Sequence, residues 1–171
     1  CSSDLEYAIE ALIKADQLRP LNPEAITNLG NLASEFRGMP FDPGNKYSVP
    51  FMAGFVGICV NTEKIKTPIT GFNDVFVPAH KNRIVILDDA REISSWALGT
   101  AGLGINDVTP ENLAKIKPIL EKWLPLVKVY DSDSPKTALK NGDVDIGIVW
   151  SGEAAILYND NKKFAYVLPK E

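Results

Sequence analysis

From Asn61 onward the chain alternates short apolar runs with stretches of helical spacing. The runs are IVIL at 84–87, VKVY at 127–130, DIGIVW at 145–150 and FAYVL at 164–168. Between them the pattern predicts helices from Arg91 to about Ala101, Pro110 to about Leu124, Pro135 to Lys140 and Gly152 to Tyr158. Apolar strands interleaved with helices imply a layered α/β domain whose mixed sheet is largely buried. The helix opening at Thr109-Pro110 has a cap and a first-position proline, with Leu113, Ile116, Leu120 and Trp123 on one stripe. Pro118 lies inside it and is expected to kink or split it.

Before Asn61 the pattern is more broken. Leu5, Ala8, Ile9, Leu12 and Ile13 predict a first helix with Asp4 as its cap, and prolines and glycines between Pro20 and Asn45 allow only short helical pieces. YSVPFMAGFVGICVN then reads as extended chain interrupted by Pro50 and Gly54. A proline confines a strand to an edge or bulge, which suits a hinge.

At 171 residues the chain is long enough for one substantial core. Its net charge is −4, from 18 Lys and Arg against 22 Asp and Glu, with no basic cluster, which argues against a nucleic-acid partner. No run approaches the roughly 20 apolar residues of a membrane span. Cys1 and Cys59 offer neither a metal-ligand spacing nor a disulfide framework, and no cofactor motif is present, so no metal or cofactor is expected. Cys59, in VGICVN, reads as a small buried hydrophobe; Cys1-Ser2-Ser3 imitates the start of a mature lipoprotein.

The chemistry concentrates at two strand-to-helix junctions. LDDAREISSW places Asp89 and Glu92 three residues apart where a helix begins, and DVDIGIVWSGEAA delivers Trp150 and Glu153 to another. Asp-x-x-Glu at that position is equally a capping box, and a tryptophan ending an apolar strand is commonly core. Carboxylates and an aromatic face at the carboxyl ends of strands also describe a pocket for a small organic cation.

The ordered segments YAIEALIKADQLRPLN, PFDPGNKYSVPFMAGFVGICVN, LDDARE, NGDVDIGIVWSGEAA and YVLPKE together resemble the polyamine-binding (spermidine/putrescine) solute receptors of bacterial ABC transporters. The resemblance implies a periplasmic-binding-protein-like fold and a central fragment of a two-lobed receptor. Residues 1–46 would be a remnant of the first lobe, 47–60 an interlobe crossing strand and 61–171 the second lobe. It carries amine-holding roles onto Asp89, Glu92 and Glu153, an aromatic wall onto Trp150, a pocket-lining serine onto Ser132 and a first-lobe tyrosine onto Tyr7. Relatives run Ser-Asp-Tyr where this chain has Ser3-Asp4-Leu5-Glu6-Tyr7. For Ser132 a helix cap near Pro135 is an equal reading; Asp133 and Ser134 read as turn and cap residues, and Arg91 as a carboxylate partner or a solvated face.

The implied partners are a polyamine and the permease subunits of a transporter, at the periplasmic or extracellular face of the cytoplasmic membrane. Self-association through apolar residues near Phe51, Met52 and Phe55 is also expected. Two rivals remain: an interaction module with no ligand of its own, and a hydrolase using Asp89 and Glu92 as an acid–base pair. The hydrolase is disfavoured because the sole histidine, His80, falls in a polar stretch and no nucleophile-elbow motif occurs.

Overall fold

The computed structural model describes residues 6–171, so the expectations for Cys1 and Asp4 lie outside the described residues. Two compact units divide the chain, one ending at Ala53 and one running from Gly54 to Glu171.

The first unit contains helix α1 (Glu6–Lys14), which buries no side chain completely and carries a Lys14–Glu10 pair at 2.6 Å. Single 3-10 turns follow at Pro23–Ala25, Leu29–Asn31 and Ser34–Phe36, as the proline and glycine punctuation predicts. Its most buried polar group is Asp42, only 2% exposed. The Asp42 carboxylate accepts from the backbone N–H groups of Lys46 (3.1 Å), Tyr47 (3.0 Å) and Ser48 (2.7 Å), and from Ser48 Oγ (2.8 Å). A buried charge persists only when its lone pairs are filled in this way.

The second unit is built on a five-stranded sheet in the order β3-β2-β4-β1-β5. The strands are β1 (Val56–Asn61), β2 (Ile84–Ile86), β3 (Val127–Tyr130), β4 (Ile146–Trp150) and β5 (Phe164–Val167). β2 pairs in parallel with β3 and β4, whereas β1 runs antiparallel to β4 and β5, so the sheet is mixed. β1 starts at Val56, leaving Tyr47 and Pro50 outside it, and is an interior strand whose last five residues are buried. The extended stretch expected from Tyr47 therefore contains a shorter strand that belongs wholly to the second unit.

Helices α2 (Phe72–Val75), α3 (Ala90–Thr100), α4 (Pro110–Trp123), α5 (Lys136–Asn141) and α6 (Ser151–Asp160) cover the sheet. Alternation along each strand sorts them onto two faces. Ile84, Ile86, Ile146 and Ile148 pack with Trp96, Leu98, Ile116 and Trp123 from α3 and α4. Val85, Cys59 and Val149 pack on the opposite face with Leu139 of α5 and Leu157 of α6. Phe72 stacks on Trp96 at 5.5 Å and Phe76 on Trp123 at 4.3 Å, tying α2 and the residue after it to α3 and α4.

Three local expectations are corrected. Of the kink or split expected at Pro118, α4 shows no split: it runs unbroken from Pro110 to Trp123 with the proline on its exposed side. Leu113, expected on the buried stripe, is exposed. His80 is not in a solvated loop: it is buried in a 3-10 turn (Pro78–His80), with Nδ1 donating to the Val75 carbonyl at 3.0 Å.

Candidate functional site at the carboxyl edge of the sheet

Because β2, β3 and β4 are parallel, their carboxyl ends lie at one edge of the sheet. The chain leaves β2 into α3 and α4 on one face, and leaves β4 into α6 on the other. Adjacent parallel strands whose connections depart to opposite faces leave a crevice between them, the general location of ligands in open α/β sheets. Asp89 and Glu92 stand on the β2 side of this crevice; Trp150 and Glu153 stand on the β4 side.

Asp89 is the N-cap of α3, and its Oδ1 accepts from the backbone N–H groups of Arg91 (2.8 Å) and Glu92 (3.2 Å). The capping reading is therefore correct for Asp89. Capping also fixes its carboxylate at the crevice, so the two readings are compatible. Glu92 is half-buried in the first turn of the same helix, and Ser94 Oγ donates to the Ala90 carbonyl one turn along.

Trp150 is the last residue of β4, opposite Val56 of β1. Period-two alternation puts it on the face of Ile146 and Ile148, the face that α3 covers, and it packs partly buried against that core together with Ile93 of α3. Trp150 and the Asp89–Glu92 turn thus flank the crevice on the same face. The tryptophan is thus part of the core at the carboxyl edge of the sheet.

Glu153 lies on the other face, in the first turn of α6, and its side chain is 13% exposed. It is held there by Lys136, the first residue of α5: the Lys136 ammonium is paired with Glu153 Oε1, and the Lys136 backbone N–H donates to Oε2 at 3.2 Å. Lys136 Nζ also donates to Ser134 Oγ at 3.0 Å. This pairing links residues 17 apart and has no signal in local spacing.

After β3, Asp131 organises the turn by accepting from the N–H groups of Asp133 (2.8 Å) and Ser134 (3.0 Å). Asp133 lies in this turn, as expected, with Asp131 as its acceptor; Ser134 is not the cap of α5, whose N-cap position is Pro135 with no side-chain cap bond. Ser132 is exposed on this turn. Tyr130 ends β3; burial, with a contribution from the Asp88 carboxylate, raises its phenol above the ordinary range. Asp88 and Asp131, which the sequence reading did not single out, thus add negative charge to the same edge. Tyr7 lies on α1 in the first unit.

Among the described residues no cluster of three or more histidine, cysteine or acidic side chains could hold a metal ion. Two open clefts lie elsewhere on the second unit, one of about 290 Å3 beside Ile65 and Ile69 and one of about 450 Å3 between α6 and β5. Neither is lined by Asp89, Glu92, Trp150 or Glu153.

The spermidine/putrescine-binding periplasmic protein of Salmonella typhimurium is 34% identical over 167 residues, which are 96% of this chain and 48% of that protein. A putrescine/agmatine-binding protein of Pseudomonas aeruginosa is 30% identical, over 95% of this chain and 50% of its own length. The crystal structure of the spermidine/putrescine ABC transporter substrate-binding protein PotD from Streptococcus pneumoniae matches with a TM-score of 0.74 and 32% identity, over 96% of this chain and 51% of that one. The chain spans about half the length of each of these proteins. A family model described as bacterial extracellular solute-binding protein matches residues 2–171, and the chain belongs to that family.

Proposed function

We propose that this chain forms the ligand-holding part of the extracytoplasmic solute receptor of a polyamine ABC transporter, capturing a cationic alkylamine for delivery to permease subunits. What supports the reading is the carboxyl edge of β2 and β4, where Asp89 and Glu92 open α3 and Trp150 ends β4 on the face that α3 covers. The printed names of the relatives, spermidine/putrescine- and putrescine/agmatine-binding, support the same ligand class.

The chemistry fits an alkylamine. Asp89 and Glu92 accept hydrogen bonds from an ammonium group, each charge-assisted bond being worth about 1.5–3 kcal/mol. Trp150 offers its face to methylenes or to the cation, worth about 0.5–2 kcal/mol depending on desolvation. Glu153 lies in the first turn of α6 after β4 and Ser132 on the turn after β3; ligand roles for these two, and for Tyr7 on α1, rest on the family resemblance alone. Nothing in this mechanism requires bond making or breaking, and the relatives are named for binding and transport. No helix among the described residues is long and apolar enough to cross a membrane.

The test is an amide-shift titration of the 171-residue chain with spermidine, putrescine and the uncharged 1,4-butanediol. The reading predicts that the two amines shift residues around Asp89, Glu92 and Trp150 and that the diol does not. Equal shifts with the diol, or none with the amines, contradict it.

A further inference from the structure

β5 ends the sheet, with β1 on one side and no strand among the described residues on the other. The Thr62 N–H donates to the Lys163 carbonyl at 2.8 Å, and in an antiparallel ladder this bond fixes the alternation: Lys163, Ala165 and Val167 turn their backbone groups toward β1. Tyr166 and Leu168 therefore turn theirs to the open side. Phe164 shares that side, where its N–H is taken up by the Asn161 carbonyl at 3.2 Å and its own carbonyl is left. Two residues beyond Leu168 on the same side, the Lys170 N–H donates to the Thr70 carbonyl at 3.1 Å. The fold thus already pairs backbone with this line where its own chain reaches it.

The two clefts of the second unit meet at this edge, one on each face of the sheet. The cleft of about 290 Å3 lies on the face of Val60, Ile65 and Val167, and the cleft of about 450 Å3 on the α6 face, against Tyr158, Phe164 and Tyr166. Ala165 lines both. An extended chain sends successive side chains to opposite faces, so one strand laid along β5 fills both clefts while its backbone pairs with Tyr166 and Leu168. A helix or a compact ligand reaches only one of them. Charge narrows the choice further. The α6 carboxylates Glu153 and Asp160 are matched by Lys136 and Lys140. At the amino end of β5 the Lys162 ammonium lies over the Tyr158 ring at 3.7 Å and that of Lys163 over the Phe164 ring at 5.2 Å, and neither is in an ion pair among the described residues. A second copy of the chain fits poorly, because antiparallel pairing centred on Tyr166 sets Lys162 of one copy against Lys170 of the other. We propose that the open edge of β5 docks an extended segment of another protein by strand addition, a segment with apolar side chains at successive positions and a carboxylate at the end beside Lys162 and Lys163. This surface is separate from the carboxyl edge of β2 and β4, and the inference does not rest on the amine reading.

The probe is a hexapeptide blocked at both ends, with valines between two terminal glutamates, so that a carboxylate meets the lysines in either strand direction. Titrated into the 171-residue chain, it should shift the Tyr166 and Leu168 amides and slow their exchange with solvent. The same peptide N-methylated at every valine keeps its side chains but cannot pair, and should bind at least about tenfold more weakly. A lysine-ended peptide should also bind about tenfold more weakly, and Lys162→Glu should reverse that order. The Lys162 ammonium touches only the Tyr158 ring, so the variant keeps the fold. Equal binding of the N-methylated peptide, an order unchanged in Lys162→Glu, or no response at Tyr166 and Leu168 overturns the proposal. Slow exchange of the same two amides without peptide, together with a doubled mass in sedimentation, assigns the edge to a second copy and overturns it as well.

Discussion

Arg83 Nε donates to Asp145 Oδ2 at 2.8 Å, clamping β2 to β4 at their amino ends. The backbone repeats the link, since the N–H groups of Asp145 and Ile146 both donate to the Arg83 carbonyl. At the other end of the same two strands the chain departs to opposite faces and opens the crevice. One end thus holds the strands together, and the other carries the proposed binding site. Arg83 is more than a third exposed, so the ion pair is worth little beyond its geometry. Asp145→Asn should lower stability by only about 0.5–1 kcal/mol. Denaturant unfolding of the variant, alongside an amine titration, should show that small loss and unchanged binding.

Gly147 of β4 admits no side chain. A Cβ there would lie 2.7 Å from Leu139 Cδ1, 3.0 Å from Val149 Cγ1 and 3.1 Å from Val85 Cγ1, where α5 presses onto the sheet. Overpacking of a filled core typically costs about 1–3 kcal/mol, and Gly147→Ala should fall in that range in an equilibrium unfolding curve. A neutral substitution would mean that α5 packs more loosely than described.

Cys59 is fully buried in β1, and burial pushes its thiol up to about 12 from an ordinary 9.0. Burial, with a smaller contribution from Cys59, also raises the phenol of Tyr166. Below pH 9 the thiol is protonated in both folded and unfolded chains, so it adds no pH dependence. Between about 9 and 12 the unfolded thiol ionises while the folded one cannot, and stability falls as pH rises. Cys59→Ala should flatten the alkaline limb of the stability curve. The native thiol should also resist alkylation at pH 8 until denaturant is added.

Asp42 is to the first unit what the aromatic stack is to the second. Asp42→Ala leaves the N–H groups of Lys46, Tyr47 and Ser48 without their acceptor; Lys46 is exposed to water, while the partly buried donors of Tyr47 and Ser48 each cost up to about 1–3 kcal/mol. Protease cleavage between Gly38 and Ser48 should accelerate at least tenfold, while hydrogen exchange at Ile58, Ile84 and Ile148 stays at wild-type rates. Cleavage at the unchanged rate would show that the loop is held by other contacts.

Elements with a local signature were legible from sequence alone. The four runs at 84–87, 127–130, 145–150 and 164–168 each contain a strand; the wholly apolar β2 and β4 are buried on both faces, whereas β3 at the sheet edge alternates half-buried and exposed residues. The α4 boundary followed from Thr109, whose Oγ1 accepts from the Asn112 N–H at 3.2 Å. α2 was missed because four residues contain no helical period. β1 was placed too early because the punctuation at Pro50 and Gly54 marks where a strand ends but does not say which sheet receives it. The cap at Asp89 was readable because its partners are two and three residues away; the Lys136–Glu153 pair was not, because only the order of β2, β3 and β4 brings α5 and α6 together. The crevice itself is a property of strand order, which periodicity does not encode.

The central claim is that Glu92 and Trp150 hold a ligand cation. Its most direct test is titration of the chain with spermidine, followed by amide shifts at low and high salt, for wild type, Glu92→Gln and Trp150→Ala. Wild type should bind with roughly millimolar affinity, about 4 kcal/mol, and more weakly as salt rises. Both variants should lose the shifts around Asp89 and Trp150 while retaining a folded spectrum. Shifts confined to surfaces away from these residues, or undiminished in Glu92→Gln, would contradict the account and leave a helix cap and a core tryptophan.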